Sequence, residues 1–162
     1  MPRNAGASSI DNREIPANNS GMIKFERLPH DILSRLPGAQ DLLMQDENVI
    51  FAYLFGSLAG GAPKPLSDVD IAVYLLGTKN FAEYKLQLFD RLSAVLGTSE
   101  LDLVILNTAP VSLSGRILQH RRVLVDKEPF RRHAYESNTL REFFDFRTKE
   151  GALLTRRYGI GR

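Results

Sequence analysis

Gly56-Ser57-Leu58-Ala59-Gly60-Gly61-Ala62-Pro63-Lys64-Pro65-Leu66-Ser67-Asp68-Val69-Asp70 is the stretch whose reading decides the fold. It separates two apolar runs, Phe51-Ala52-Tyr53-Leu54-Phe55 and Ile71-Ala72-Val73-Tyr74-Leu75-Leu76. The first run begins at Val49 and is rich in β-branched and aromatic residues, so it predicts a strand. Its near-continuous apolarity suits a strand covered on both faces. Gly56-Ser57 opens a turn or a short helix. Gly60 to Pro65 holds two Gly and two Pro and predicts a loop. A second strand follows from Asp68 to Leu76.

Side chains alternate along a strand, so Asp68 and Asp70 point the same way. Two carboxylates held that close repel each other, and burying them without a cation is costly. A hard divalent ion resolves the conflict. Mg²⁺ takes one or two carboxylates and completes its shell with water and substrate phosphates. The pair therefore points to a phosphate-bearing substrate. Gly56 allows a phosphate to approach the backbone, and the Ser57 hydroxyl and the turn N–H groups can donate to it. A third apolar run, Leu101 to Leu106, carries Asp102. If that strand lies beside the second, three carboxylates can serve two metals about 3.5–4 Å apart. Asp102 could also accept a proton as general base. Each piece alone is weak: Asp at turns and strand entries is frequent, and Asp102 could face solvent at a sheet edge. The conjunction carries the reading.

Outward from this centre the chain alternates helix and strand. Leu28, Ile32 and Leu36 fall at helical spacing, with Leu42 and Leu43 continuing the apolar side, and Pro37-Gly38 predicts a break or a fresh start there. Asn80 can cap a helix from Phe81 to Leu96, which Gly97 stops. Pro110 begins a short helix to about His120. Val123 to Val125 is a brief strand. Pro129 starts a helix reaching at least Phe146, with a bend expected at Gly151. Phe143, Phe144 and Phe146 read as core packing. His120 and His133 read as helix residues without catalytic roles.

The chain has 162 residues, 43% hydrophobic and 25% charged, with no cysteine. This fits one domain at 23–158 behind a polar, flexible arm at 1–22 that lacks the core of a signal peptide. A disulfide framework and thiolate metal sites are excluded. No apolar run is long enough to span a membrane. A cytoplasmic setting is expected. The net charge of +2 divides unevenly: residues 116 to 162 carry ten Arg and two Lys against six acids. That basic third is either a solvated helix face or a contact surface for phosphates, nucleic acid or an acidic partner.

The quoted residues resemble the nucleotidyltransferase signature of the DNA polymerase beta superfamily. The runs "AYLFGS", "SDVDIAV" and "LDLVILN" are similar to those of minimal nucleotidyltransferases of the MntA antitoxin type, and "LNTAPVSLSGRILQHRRVLVD" and "REFFDFR" extend the resemblance to about residues 28–150. It implies an α/β (α+β) fold: a small mixed sheet with helices packed on one face, plus a C-terminal helix. It implies Asp68, Asp70 and Asp102 as metal-binding, catalytic carboxylates for Mg²⁺, and Gly56 and Ser57 as nucleotide-binding residues for ATP. The reaction implied is transfer of AMP to a hydroxyl, a tyrosine of a cognate HEPN toxin with which a hetero-oligomer can form. Membrane and nucleic-acid partners are not expected. The alternatives are an aminoglycoside-type small-molecule acceptor or a non-catalytic toxin-binding module. The family's frequent arginine after Gly-Ser is missing at Gly60. Lys64 could substitute, and Arg116, Arg121 and Arg122 are candidates for toxin or nucleotide contacts.

Overall fold

A computed structural model describes residues 27–61, 67–77 and 80–159; the whole arm at 1–22, Lys64 and the last three residues lie outside the described residues. The elements run α1 (Ile32–Gln45), β1 (Val49–Phe55), α2 (Gly56–Ala59), β2 (Val69–Leu75), α3 (Phe81–Leu96), β3 (Leu101–Ile105), α4 (Val111–Gln119), β4 (Arg122–Asp126) and α5 (Pro129–Tyr158). Four strands form one sheet in the order β3-β2-β1-β4. β1 pairs antiparallel with β2 and β4, and β2 pairs parallel with β3. A parallel pair needs a crossover connection, and α3 supplies it.

The apolar strands are buried because helices cover both faces. On one face Leu36 and Leu43 of α1 and Leu88, Leu92 and Leu96 of α3 meet Leu54, Ile71, Val73 and Leu103. On the other, Phe51, Tyr53 and Ala72 meet Ile117 and Leu118 of α4 and Tyr135 and Leu140 of α5. The resemblance implied helices on one face; the second layer follows from β1, whose side chains are buried on both sides and need cover twice. Gly115 lets the second layer close up, since a Cβ there would run into the Phe143 ring.

A buried ion cluster pins α5 to the sheet. Glu136 accepts from Tyr53 Oη at 2.8 Å, from Arg121 Nε at 3.0 Å and from Arg132 Nη1 at 2.9 Å. Arg132 also reaches Asp126 at 2.9 Å. Burial pushes the Glu136 carboxyl up, but the Tyr53, Arg121 and Arg132 hydrogen bonds outweigh it and hold the group below its ordinary value.

Two further expectations differ from the structure. α1 continues through Pro37 as one helix. The proline forfeits one backbone hydrogen bond, but Leu36 and Ala39 anchor the helix in the core on either side of it. Gly38 helps, because a Cβ there would press on Val95 Cγ1 at 3.0 Å. α5 is helical from Pro129 to Tyr158, well past Phe146. Of the three phenylalanines read as core, Phe143 is buried, while Phe144 and Phe146 are 51% and 48% exposed. The α3 caps are as expected: Asn80 accepts from the Glu83 N–H at 3.1 Å, and Gly97 closes the helix at φ 68°. Among the described residues no helix is long and apolar enough to cross a membrane.

Candidate active site

Strand pairing decides which residues meet. The antiparallel register sets Phe55, the last residue of β1, opposite Asp70 near the start of β2. The parallel register sets Asp70 beside Asp102. Neighbouring strands lie about 4.8 Å apart, so Gly56-Ser57, Asp70 and Asp102 form a row across one end of the sheet. Asp68 lies just before β2, at the same end. Ala72 and Val104 belong to the cluster beneath α4 and α5, so Asp70 and Asp102, two residues earlier on their strands, share that face.

The row is electrostatically strained. Asp68 and Asp102 are exposed, whereas Asp70 is half-buried. Burial first, and then repulsion from Asp102 and Asp68, push the Asp70 carboxyl up to about 6. A cation would relieve that strain. Gly56 stands against the same carboxylate in the left-handed region at φ 66°, where a Cβ would collide with Asp70 Oδ2 and lie 2.8 Å from Cγ. Only glycine closes the strand this tightly on its neighbour. The Ser57 hydroxyl is buried without a hydrogen-bond partner. A buried polar group without a partner costs roughly 1–3 kcal/mol, so its position suits a ligand acceptor atom.

Among the described residues no three His, Cys, Asp or Glu close on a single metal position. The adjacent carboxylates of Asp70 and Asp102 suit an ion that takes one or two carboxylates and completes its shell with water and phosphate, as Mg²⁺ does. The unpartnered Ser57 hydroxyl, the exposed Gly56 backbone and the crowded carboxylates all fit a phosphate–metal ligand.

Beyond Asp102, along the outer edge of β3, an open cleft of about 550 Å³ runs between the starts of α3 and α4. Phe81 and Lys85 of α3, Val104 of β3, Thr108 and Leu113 line it with Asp102. None of these neighbours carries a motif, and sequence reading passes over them. The other candidates fall elsewhere. Arg121 is spent on Glu136 and on the Tyr53 ring, whose centroid is 5.6 Å from its guanidinium, so it is no free contact residue. Arg116 lies in a groove between α4 and α5 with Phe143 and Arg147. Arg122 is exposed on β4, opposite Leu54. His120 ends α4, and His133 lies 3.7 Å from Glu136; neither lines the cleft beside Asp102.

A mixed sheet whose end gathers a Gly-Ser turn and carboxylates from adjacent strands is the architecture of a nucleotidyl-transferring domain. Residues 39–130 match the family model described as Polymerase beta, Nucleotidyltransferase, and the chain belongs to that family. Solved structures with the same fold include the toxin–antitoxin pair MntA-HepT, 20% identical, with a TM-score of 0.60 over 76% of this chain and 97% of that one. A toxin–antitoxin structure with AMP-PNP is 20% identical, with a TM-score of 0.61 over 76% and 95%. A tri-AMPylated Shewanella oneidensis HEPN toxin in complex with MNT antitoxin gives 18% and 0.58 over 75% and 97%. No curated protein matches the chain by sequence.

Proposed function

We propose that the protein is a Mg²⁺-dependent adenylyltransferase that moves AMP from ATP to a tyrosine hydroxyl of a cognate HEPN toxin, and thereby acts as a cytoplasmic antitoxin. The observation that carries the reading is the row Gly56-Ser57, Asp70, Asp102 across one sheet end. The similar folds found with AMP-PNP and with an AMPylated HEPN toxin support the choice of nucleotide and acceptor.

In this reading Ser57 Oγ donates to a phosphate oxygen, and the exposed Gly56 backbone lies open to the phosphate chain. Asp68, Asp70 and Asp102 would share two Mg²⁺ ions, no single ion taking all three. When bound, Mg²⁺ neutralises phosphate charge and makes a nearby hydroxyl a better nucleophile. Asp102 takes the proton from the acceptor hydroxyl. The acceptor oxygen bonds to the α-phosphorus, the bond to the bridging oxygen breaks, and pyrophosphate leaves with the electron pair.

The test incubates the full chain with ATP, Mg²⁺ and the HEPN protein encoded beside it. One or more AMP units should appear on that protein by mass spectrometry, and Asp68→Ala/Asp70→Ala should abolish them. Inhibition that persists in the double variant, with no mass gain, would instead favour neutralisation by contact alone. Gly60, in place of the family's frequent arginine, is the feature that favours that second reading.

A further inference from the structure

The buried face of α5 does not stop where the domain stops. Glu136, Thr139 and Phe143 turn into the protein at steps of three and four residues. The same steps lead on to Phe146, Glu150, Leu153 and Arg157, so these stand on the same side of the helix. There Phe146, Leu153 and Leu154 are 48%, 67% and 49% exposed. Single apolar residues on a surface need no account, but a contiguous apolar run marks a contact site.

The run forms one wall of a trough. Arg116 of α4 and Phe143, Phe146, Arg147 and Glu150 of α5 line a first hollow of about 490 Å³. Phe146 and Glu150 also line a second, of about 520 Å³, which continues past Leu153 and Leu154 to Arg157. From Phe143 to Arg157 the helix rises about 21 Å, room for a partner helix of about four turns. Neither hollow shares a residue with the cleft beside Asp102. The family match stops at residue 130, at the start of α5.

Charge selects the occupant. Elsewhere Arg35, Arg91, Arg121, Arg131 and Arg132 are each paired with a carboxylate. Among the described residues, Arg116, Arg147, Lys149 and Arg157 have no carboxylate within ion-pair distance. These four cations line the trough against Glu150 alone. A second copy would bring the same unspent cations to the interface. The arm at 1–22 has two Arg against Asp11 and Glu14, so it offers no net negative charge. Nucleic acid presents phosphates and would leave Phe146, Leu153 and Leu154 uncovered. A membrane surface takes a helix whose cations lie opposite its apolar face, whereas Arg147 and Arg157 share that face here.

We propose that the trough between α4 and the distal half of α5 is a docking surface for an acidic amphipathic helix of a partner protein. Apolar residues of that helix, three and four apart, cover Phe146, Leu153 and Leu154, while its flanking Asp and Glu pair with Arg116, Arg147, Lys149 and Arg157. The surface is separate from the sheet end and does not depend on nucleotidyl transfer.

The test uses the full chain and three fluorescein-labelled, Ala-based helical peptides, read by fluorescence anisotropy. The first carries Leu residues three and four apart with Glu on both flanks. The second has Lys for each Glu. The third keeps the composition of the first but scatters its Leu residues around the helix. The first should bind at micromolar concentration, at least about tenfold more tightly than either of the others. Phe146→Ser/Leu153→Ser should weaken it at least about tenfold, with Tm within about 2 °C of the parent because both side chains are exposed. Arg116→Glu/Arg147→Glu should reverse the preference, so that the Lys peptide binds more tightly than the Glu peptide. No binding of the first peptide, equal binding of all three, or an unreversed preference overturns the proposal. So does a parent dimer in ultracentrifugation that Phe146→Ser/Leu153→Ser dissociates, since a second copy then covers the trough. Anionic lipid vesicles or single-stranded RNA that bind more tightly than the first peptide, and lose binding in Arg116→Glu/Arg147→Glu, overturn it as well.

Discussion

Asp70→Asn should make the metal-free protein more stable near neutral pH while it destroys nucleotidyl transfer. The native Asp70 carboxyl is pushed from 3.8 up to about 6 by burial and by its two acidic neighbours. Between those values the native state holds a proton that the unfolded chain has released, so stability falls as pH rises through that window. Above it the full penalty stands, nominally roughly 3 kcal/mol. Asp70 is only half-buried, and solvent screening reduces this to about 1–2 kcal/mol. The amide that replaces the carboxylate has no charge to desolvate. In a domain of this size the gain is worth about 2–8 °C in Tm. The assay is thermal unfolding of both proteins in EDTA at about pH 7.5 and about pH 4. The gain should appear at the higher pH and shrink towards nothing at the lower, where the native Asp70 is already protonated. Added Mg²⁺ should raise the parent's Tm more than the variant's. An equal gain at both pH values, or a loss at about pH 7.5, would refute the electrostatic account of the site.

Three further substitutions probe the frame that holds the site. Gly56→Ala should lose about 1–3 kcal/mol in urea unfolding and nearly all AMP transfer, because it strains a left-handed residue and drives a methyl into Asp70. Glu136→Ala leaves Arg121 and Arg132 without their shared carboxylate, so a loss of about 3–5 kcal/mol is expected by denaturant titration. Gly115→Val forces α4 away from Phe143 and should cost about 1–3 kcal/mol, read as a lowered midpoint of thermal unfolding.

Much of this architecture was legible because it is written in short-range chemistry. The runs Val49–Phe55 and Leu101–Ile105 announce strands by composition, and Asn80 and Gly97 mark the ends of α3 by the conformations they permit. Side-chain alternation predicts Asp68 and Asp70 on one side, but Asp68 falls just before β2, and only its charge is seen to act on Asp70. Asp102 was different: its meeting with Asp70 depends on β3 pairing parallel to β2, and nothing local in either strand specifies that partner. Pro37 misled for the opposite reason, since its local signal was clear and core packing overrode it. The Glu136 cluster joins positions up to 83 residues apart and leaves no trace at any fixed spacing. The cleft beside Asp102 is assembled from helix starts whose residues, Phe81 and Leu113, look like ordinary core in the sequence.

The length of α5 has a consequence for how the molecule opens. Its 30 residues span about 45 Å, but among the described side chains the last buried one is Phe143. Up to that point the helix is held by Glu136, Thr139 and Phe143, and its amides can exchange only when the core itself gives way. Beyond it the side chains from Phe144 to Arg157 are exposed, and the backbone has little but intrinsic helix propensity to hold it. One continuous helix therefore contains two stability regimes, and amide hydrogen exchange along it should show a step just after Phe143 rather than a gradual slope.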